Sequence, residues 1–208
     1  MATRFFTSDW HIGMQDILKY EKRGTSYGGP FKDVNNMASY FLHSAIDTTT
    51  EDDIIVHIGD LATFTSDDKS MCKPMEFVKK IPATFINIRG NHDINNKVKS
   101  VGDSMQIHLG KRYPNVVCGH YPSYDARAKN YIKEGWILLC GHVHSKWKHC
   151  LDVTSNVLNI NVGVDVWKYN IVSEDALVRY VDSILATLRT APNKIHKVKI
   201  EDGKAIAV

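Results

Sequence analysis

Five short apolar runs in this chain each stop at a residue able to bind a metal ion. FFTS runs into Asp9-Trp10-His11, IIVHI into Gly59-Asp60, TFINIR into Gly90-Asn91-His92-Asp93, NVVC into Gly119-His120, and WILLC into Gly141-His142-Val143-His144. In layered α/β folds, ligands bind just outside the carboxyl ends of the strands. Five such ends side by side would converge Asp9, His11, Asp60, Asn91, His120, His142 and His144 on one small region. A glycine ahead of a ligand lets the backbone turn sharply and approach an ion closely. In an extended segment residues i and i+2 share a face, so Asp9 and His11 are expected to grip one ion together. Seven donors exceed the roughly four of a zinc-like ion. They suit two ions sharing a bridging carboxylate, and Asp60, the carboxylate at the mid-sheet position, is the natural bridge. Imidazole, carboxylate and amide donors without thiolate favour Mn, Fe, Zn, Co or Ni, manganese foremost, over a soft-metal site.

The elements that must position these residues follow from hydrophobic periodicity. Runs at 4–7, 54–58, 84–88, 116–118, 137–140 and 157–162 are rich in β-branched and aromatic residues and read as strands buried on both faces. Helical spacing marks 34–46, 68–80 and 174–188, the last with an apolar stripe from Ala176 to Leu188 and Ser173 as its N-cap. KIHKVKI at 194–200 alternates like a half-exposed strand ahead of an EDGK turn. Strands interleaved with helices indicate an α/β layered domain, here a single one spanning 1–208. Two irregular stretches, 13–32 and 121–134, are long enough to be functional loops that would shape substrate recognition.

Bulk properties narrow the class further. A net charge of +3 is too small to argue for a nucleic-acid or membrane partner. No window approaches the length of a membrane span, and the N-terminus has no leader-like apolar stretch. The four cysteines form no CxxC pair; Cys118 and Cys140 close apolar runs and read as core residues of a reduced, cytoplasmic protein. His57 has the wrong parity to point with Asp60 and reads as a hydrogen-bonded core histidine, whereas His43, His149 and His196 read as surface residues. The cluster Lys146-Trp147-Lys148-His149 reads as a solvated loop, and Lys97 and Lys99 as ordinary surface lysines.

Singly, the GD, GH and DxH motifs are common. Together and in this order, DxH, GD, GNHD, GH and GHxH resemble the signature of the calcineurin-like metallophosphoesterases, from Asp9 to His144. NINVGVDVW at 159–167 is similar to the closing strand of small bacterial and phage members. The resemblance implies a two-sheet β-sandwich flanked by α-helices, with a dimetal site at the strand C-terminal ends. It also implies a first ion held by Asp9, His11, Asp60 and His144, and a second held by Asp60, Asn91, His120 and His142. His92 would contact the phosphate and protonate the leaving oxygen after attack by a metal-activated water. Three positions depart from the family pattern. Thr63 stands where a second acid would steady the catalytic histidine, Met14 where a further histidine is expected, and Gly29 where an arginine would precede Pro30-Phe31.

The implied activity is metal-dependent hydrolysis of a small, nucleotide-like phosphate ester by a phosphodiesterase or phosphatase. A DNA or RNA nuclease of the same superfamily is the first rival, though little chain remains after Val164 for a nucleic-acid-binding region. A non-catalytic scaffold is the second, and metal content of the pure protein separates it. A protein phosphatase fits less well, because GDLATF lacks the acidic residue and arginine of that branch.

Overall fold

The apolar runs become strands because neighbours cover both of their faces. The structure, a computed structural model, describes residues 2–63, 74–96, 98–201 and 204–208. The first sheet holds β1 (Arg4–Thr7), β2 (Ile54–Ile58) and β3 (Thr84–Ile88) in parallel, with β1 also pairing antiparallel to the two-residue β9 (Val172–Ser173). The second sheet has the order β11-β10-β7-β8-β6-β5-β4. It comprises β4 (Ser104–Leu109), β5 (Tyr113–Gly119), β6 (Ile137–Cys140), β7 (His149–Asp152), β8 (Val157–Asn161), β10 (Lys197–Glu201) and β11 (Lys204–Ala207). Within it β5, β6 and β8 run parallel, β4 pairs antiparallel to β5, and β7 pairs antiparallel to β8 and parallel to β10. The helices are α1 (Ile17–Tyr20), α2 (Val34–Thr48), α3 (Pro74–Val78) and α4 (Glu174–Thr190).

Alternation along each strand sorts its side chains into three clusters. Phe6, Val56, Ile58 and Ile88 of the first sheet meet Val116, Cys118, Leu139 and Ile160 of the second, and Leu177, Val181 and Ile184 of α4 join them. Phe5 and Ile55, on the opposite face of the first sheet, pack on Val34, Met37 and Phe41 of α2 and on Trp10. On the far face of the second sheet Val117, Leu138 and Cys140 are covered by Ala128 and Tyr131 from the 121–134 loop. The result is a sandwich of two mixed sheets flanked by helices, as the motif order implied.

Both long helices are capped, the second by the expected Ser173. Asp33 accepts from the Asn36 amide at 2.8 Å, and Ser173 from the Ala176 amide at 3.3 Å. The described part of the 68–80 pattern is α3 and the turn after it; residues 68–73 and Lys97 lie outside the described residues. Asp202 and Gly203 do too, and β10 and β11 flank them as an antiparallel pair.

Some expectations are corrected. His149 is not a surface residue but opens β7, and its Nδ1 lies 2.7 Å from the Tyr180 hydroxyl. The 146–149 cluster is a solvated loop only in part, since Lys146 is exposed while residues 147–149 are half-buried. Lys148 Nζ sits 3.5 Å above the Trp167 ring and Trp147 donates to the Tyr124 hydroxyl. β4 and β11 also escaped the reading, and β5 starts earlier than its apolar stretch. No helix among the described residues is long and apolar enough to cross a membrane. Cys118, Cys140 and Cys150 are free and buried, and burial pushes the Cys118 thiol up.

Candidate metal centre

The strand ends of both sheets meet at one edge of the sandwich. Three groups of donors have atoms within 4.8 Å of one another: Asp9 with His11 and His144, His11 with Asp60 and His92, and Asp60 with His120 and His142. Asp60 ties them together, its Oδ2 lying 3.6 Å from His11 Nε2 and 3.2 Å from His120 Nε2. Asp9 Oδ1 lies 4.0 Å from both His11 Nε2 and His144 Nε2. Asn91 falls between Gly90, whose backbone abuts the Asp60 carboxylate, and His92, whose amide donates to Asp60 Oδ1 at 2.8 Å. The structure therefore gathers the side chains that the spacing singled out.

The gathering does not use the pleat. Asp9, His11, Asp60, His142 and His144 all have left-handed backbone, with φ of 60°, 49°, 58°, 69° and 48°. Asp9 and His11 thus converge through left-handed turns rather than by sharing the face of an extended strand. Such backbone costs on the order of 1–3 kcal/mol per residue and persists only where surroundings enforce it. The glycines act as anticipated by allowing close approach. A Cβ on Gly90 would collide with the Asp60 carboxylate, and one on Gly141 with Asp9 and Ser8.

Hydrogen bonds to the remote ring nitrogens turn each imidazole toward the cluster. His120 Nδ1 donates to the Ile58 carbonyl at 2.9 Å, His144 Nδ1 pairs with Asp165 Oδ2 at 3.0 Å, and His11 Nδ1 lies 3.3 Å from Thr63 Oγ1. In each case Nε2 is left facing the other donors, the outer-shell pattern that fixes the tautomer of a metal-ligating histidine. Thr63, at the position where an acid would steady His92, thus contacts His11 instead. His92 is held by its backbone, the amide on Asp60 and the carbonyl accepting from Asn96 Nδ2, and its ring lies edge-on to His11 at 4.9 Å.

Three residues outside the expected set complete the frame. Asp93 is buried, and its carboxylate accepts from the amides of Asp60, Leu61 and Gly90 and from Asn87 Nδ2, pinning two strand ends to each other. Arg23, fully buried, makes a bidentate pair with Asp165 at 2.7 Å on both arms and donates to the Asp9 carbonyl at 2.8 Å. Residues 24–30 loop out, and the Phe31 amide returns to the Arg23 carbonyl, which sets Arg23 beside Phe31. GNHD held a visible hint of Asp93. Nothing local marked Arg23; Asp165, 142 positions away, lies within the NINVGVDVW stretch but was given no role there.

The charge balance prepares the cluster for cations. Burial opposes ionisation of Asp9, but His144, His120 and His11 outweigh it and hold the carboxyl below its usual range. Burial depresses His11 to about 3 against the pull of Asp60 and Asp9, and with help from His120 depresses His142 to about 4, so both stay neutral and ready to ligate. Burial disfavours charge on His120 as well, yet Asp60 raises it to about 9. Within this site His11 Nε2, His120 Nε2 and Asn91 Oδ1 are buried without a hydrogen-bond partner. Native proteins leave few such atoms unpaired, and each calls for an explanation. The two imidazole nitrogens face the Asp60 carboxylate, and Asn91 Oδ1 is buried next to His92 in the chain, a set of free donors that fits bound cations.

Comparison with known proteins accords with this geometry. The family model for calcineurin-like phosphoesterases matches residues 3–167. An uncharacterized protein of Methanocaldococcus jannaschii is 25% identical over 185 residues, covering 88% of this chain and 93% of its own length. The crystal structure of a protein of unknown function from Aquifex aeolicus superposes with a TM-score of 0.60 at 21% identity, covering 88% of this chain and all of that one, a likeness of fold. Since the family match takes in every strand end that contributes to the cluster, the chain belongs to the calcineurin-like phosphoesterases, a dimetal-dependent family of phosphoester hydrolases.

Proposed function

We propose that the protein hydrolyses a small, nucleotide-like phosphate ester as a phosphodiesterase or phosphatase. Asp9, His11, Asp60 and His144 would hold one divalent ion, and Asp60, Asn91, His120 and His142 a second, with Mn²⁺ the first candidate and Fe, Zn, Ni or Co as alternatives. The observation that carries this reading is the pair of buried imidazole nitrogens of His11 and His120 facing Asp60, with a buried, unpartnered Asn91 Oδ1, within a family match. When bound, a pair of such ions activates water for attack at phosphorus and neutralises phosphoryl charge.

The chain's own residues do the rest. Asp60 offers Oδ2 to both halves of the site and spends Oδ1 on the His92 amide, so the position of His92 follows that of the bridge. His92, half-buried beside His11, would give a ring proton to the departing oxygen as the P–O bond breaks. Asp93 and the Arg23–Asp165 pair keep the strand ends from drifting apart.

The direct test uses metal-stripped protein given Mn²⁺, Ni²⁺, Zn²⁺ or Mg²⁺ with an aryl phosphodiester and an aryl phosphomonoester. Metal-dependent turnover is expected, and the diester-to-monoester ratio narrows the substrate. Protein that takes up no ions would overturn the reading. The role of His92 is tested separately. His92→Asn is expected to lower kcat by about 10²–10⁴-fold on an alkyl ester, the usual worth of a general acid. The defect should shrink on a nitrophenyl ester, whose leaving group needs no proton, while metal content stays at the wild-type level. Loss of an ion in this variant would make His92 a ligand instead.

A further inference from the structure

Beside the half of the site formed by Asp60, His120 and His142 lies a cavity of about 300 Å³, near the small end of the range for organic ligands. Arg89, Ile94, Tyr121, Arg127, Asn130 and Tyr131 line it. We propose that this cavity seats one organic arm of the substrate, that the arm is a single nucleoside, and that Arg127 grips a phosphoryl oxygen of the same ester. The proposal rests on the cluster being a phosphoesterase centre.

The cavity is continuous with the site. Tyr121 follows His120, and its ring lies 5.1 Å from that of His120 and 5.0 Å from that of His142. Arg127 stacks on Tyr121, its Cζ 3.7 Å from the ring centroid, and one Nη lies 3.3 Å from His142 Nε2. Were His142 Nε2 to hold an ion, that N–H would be released at the edge of the site, where a bound phosphoryl oxygen could accept it. Asp125 fixes the guanidinium plane with two bonds, from Nε at 2.8 Å and Nη2 at 2.6 Å, so little side-chain freedom remains to be lost when an anion arrives.

The lining chooses the arm. Guanidinium and phenol planes favour a flat ring, because stacking on Arg and Tyr needs only a π-face. Ile94 stands two residues after His92 and is 66% exposed, an apolar side chain at the mouth with no core to fill. Asn130 and Asp103 add an amide and a carboxylate suited to sugar hydroxyls. A nucleoside presents both kinds of surface, and the volume excludes a longer oligonucleotide from the cavity itself.

The test compares two diesters with the same nitrophenyl leaving group, one carrying thymidine and one carrying methyl, on Mn²⁺-loaded full-length protein. Wild type is expected to favour the thymidyl ester in kcat/KM by about 10-fold or more. Arg127→Ala should raise KM on both esters, Arg127→Lys should recover only part of the loss, and Ile94→Asp should pull the thymidyl-to-methyl ratio towards one. Thymidine 5′-monophosphate binding, followed by calorimetry, should weaken by about 10-fold or more in Arg127→Ala, the worth of one charge-assisted hydrogen bond. Metal-dependent turnover without thymidyl preference, or variants keeping the wild-type ratio and affinity, would overturn the cavity assignment alone. Absence of metal-dependent turnover on either ester would instead overturn the phosphoesterase reading and this inference with it.

Discussion

Asp60→Asn is expected to abolish metal-dependent turnover while leaving a folded protein. The wild-type carboxylate serves both halves of the site through Oδ2, 3.6 Å from His11 Nε2 and 3.2 Å from His120 Nε2, and anchors the His92 amide through Oδ1. The amide isostere keeps the second role, since its carbonyl can occupy Oδ1. It loses the first, because an NH₂ group presents hydrogens where a shared cation needs a lone pair and negative charge. Turnover should fall by more than about 10³-fold, beyond the loss of a single electrostatic contact in an active site. Elemental analysis should find fewer than two ions per chain, and circular dichroism should match wild type. A variant retaining both ions and measurable turnover would remove Asp60 from the bridging position.

Arg23→Met should be the most destabilising single change at the site, although Arg23 touches no donor side chain apart from its backbone contact with Asp9. Its guanidinium is fully buried and Asp165 nearly so. Removing the cation strands a carboxylate that is then opposed only by His144, and breaking a buried pair from one side costs about 3–5 kcal/mol. For a chain of this length that corresponds to a fall in Tm of roughly 6–20 °C by calorimetry. Arg23→Lys should not restore stability, because an ammonium cannot reproduce the two-armed contact. The double variant Arg23→Met/Asp165→Leu should recover part of the loss, since it leaves no unpaired charge. A Tm within a degree or two of wild type for Arg23→Met would show that the pair carries no stability.

These two residues mark where sequence reasoning works and where it stops. Asp60 was legible because it directly follows an apolar strand and a glycine, a local arrangement that repeats at three other strand ends. Strands β1, β2, β3, β6 and β8 were legible for the related reason that burial leaves runs rich in β-branched and aromatic residues with few polar interruptions. Arg23 was hidden, because its partner lies across the fold and an arginine in a polar loop has no local sign of burial. Thr63 was read as a missing acid, and only the three-dimensional arrangement shows its hydroxyl beside His11. β7 was missed because basic and aromatic residues at 146–149 suggested solvent, whereas stacking of Lys148 on Trp167 lets that segment join a sheet. In β4, Met105, Ile107 and Leu109 did alternate, so the signal was present but faint against two polar residues.

The left-handed backbone at Asp9, His11, Asp60, His142 and His144 also limits how this centre can evolve. Among residues with a side chain, asparagine, aspartate and histidine tolerate that conformation best. Their side chains happen to be the amide, carboxylate and imidazole donors preferred by hard and borderline cations. A mutation to cysteine would meet a backbone penalty before its sulfur reached an ion, and so would one to a β-branched residue. The chain geometry therefore screens the available ligand alphabet ahead of coordination chemistry. Lineages carrying this scaffold would find it easier to exchange one such cation for another than to drift into a thiolate site.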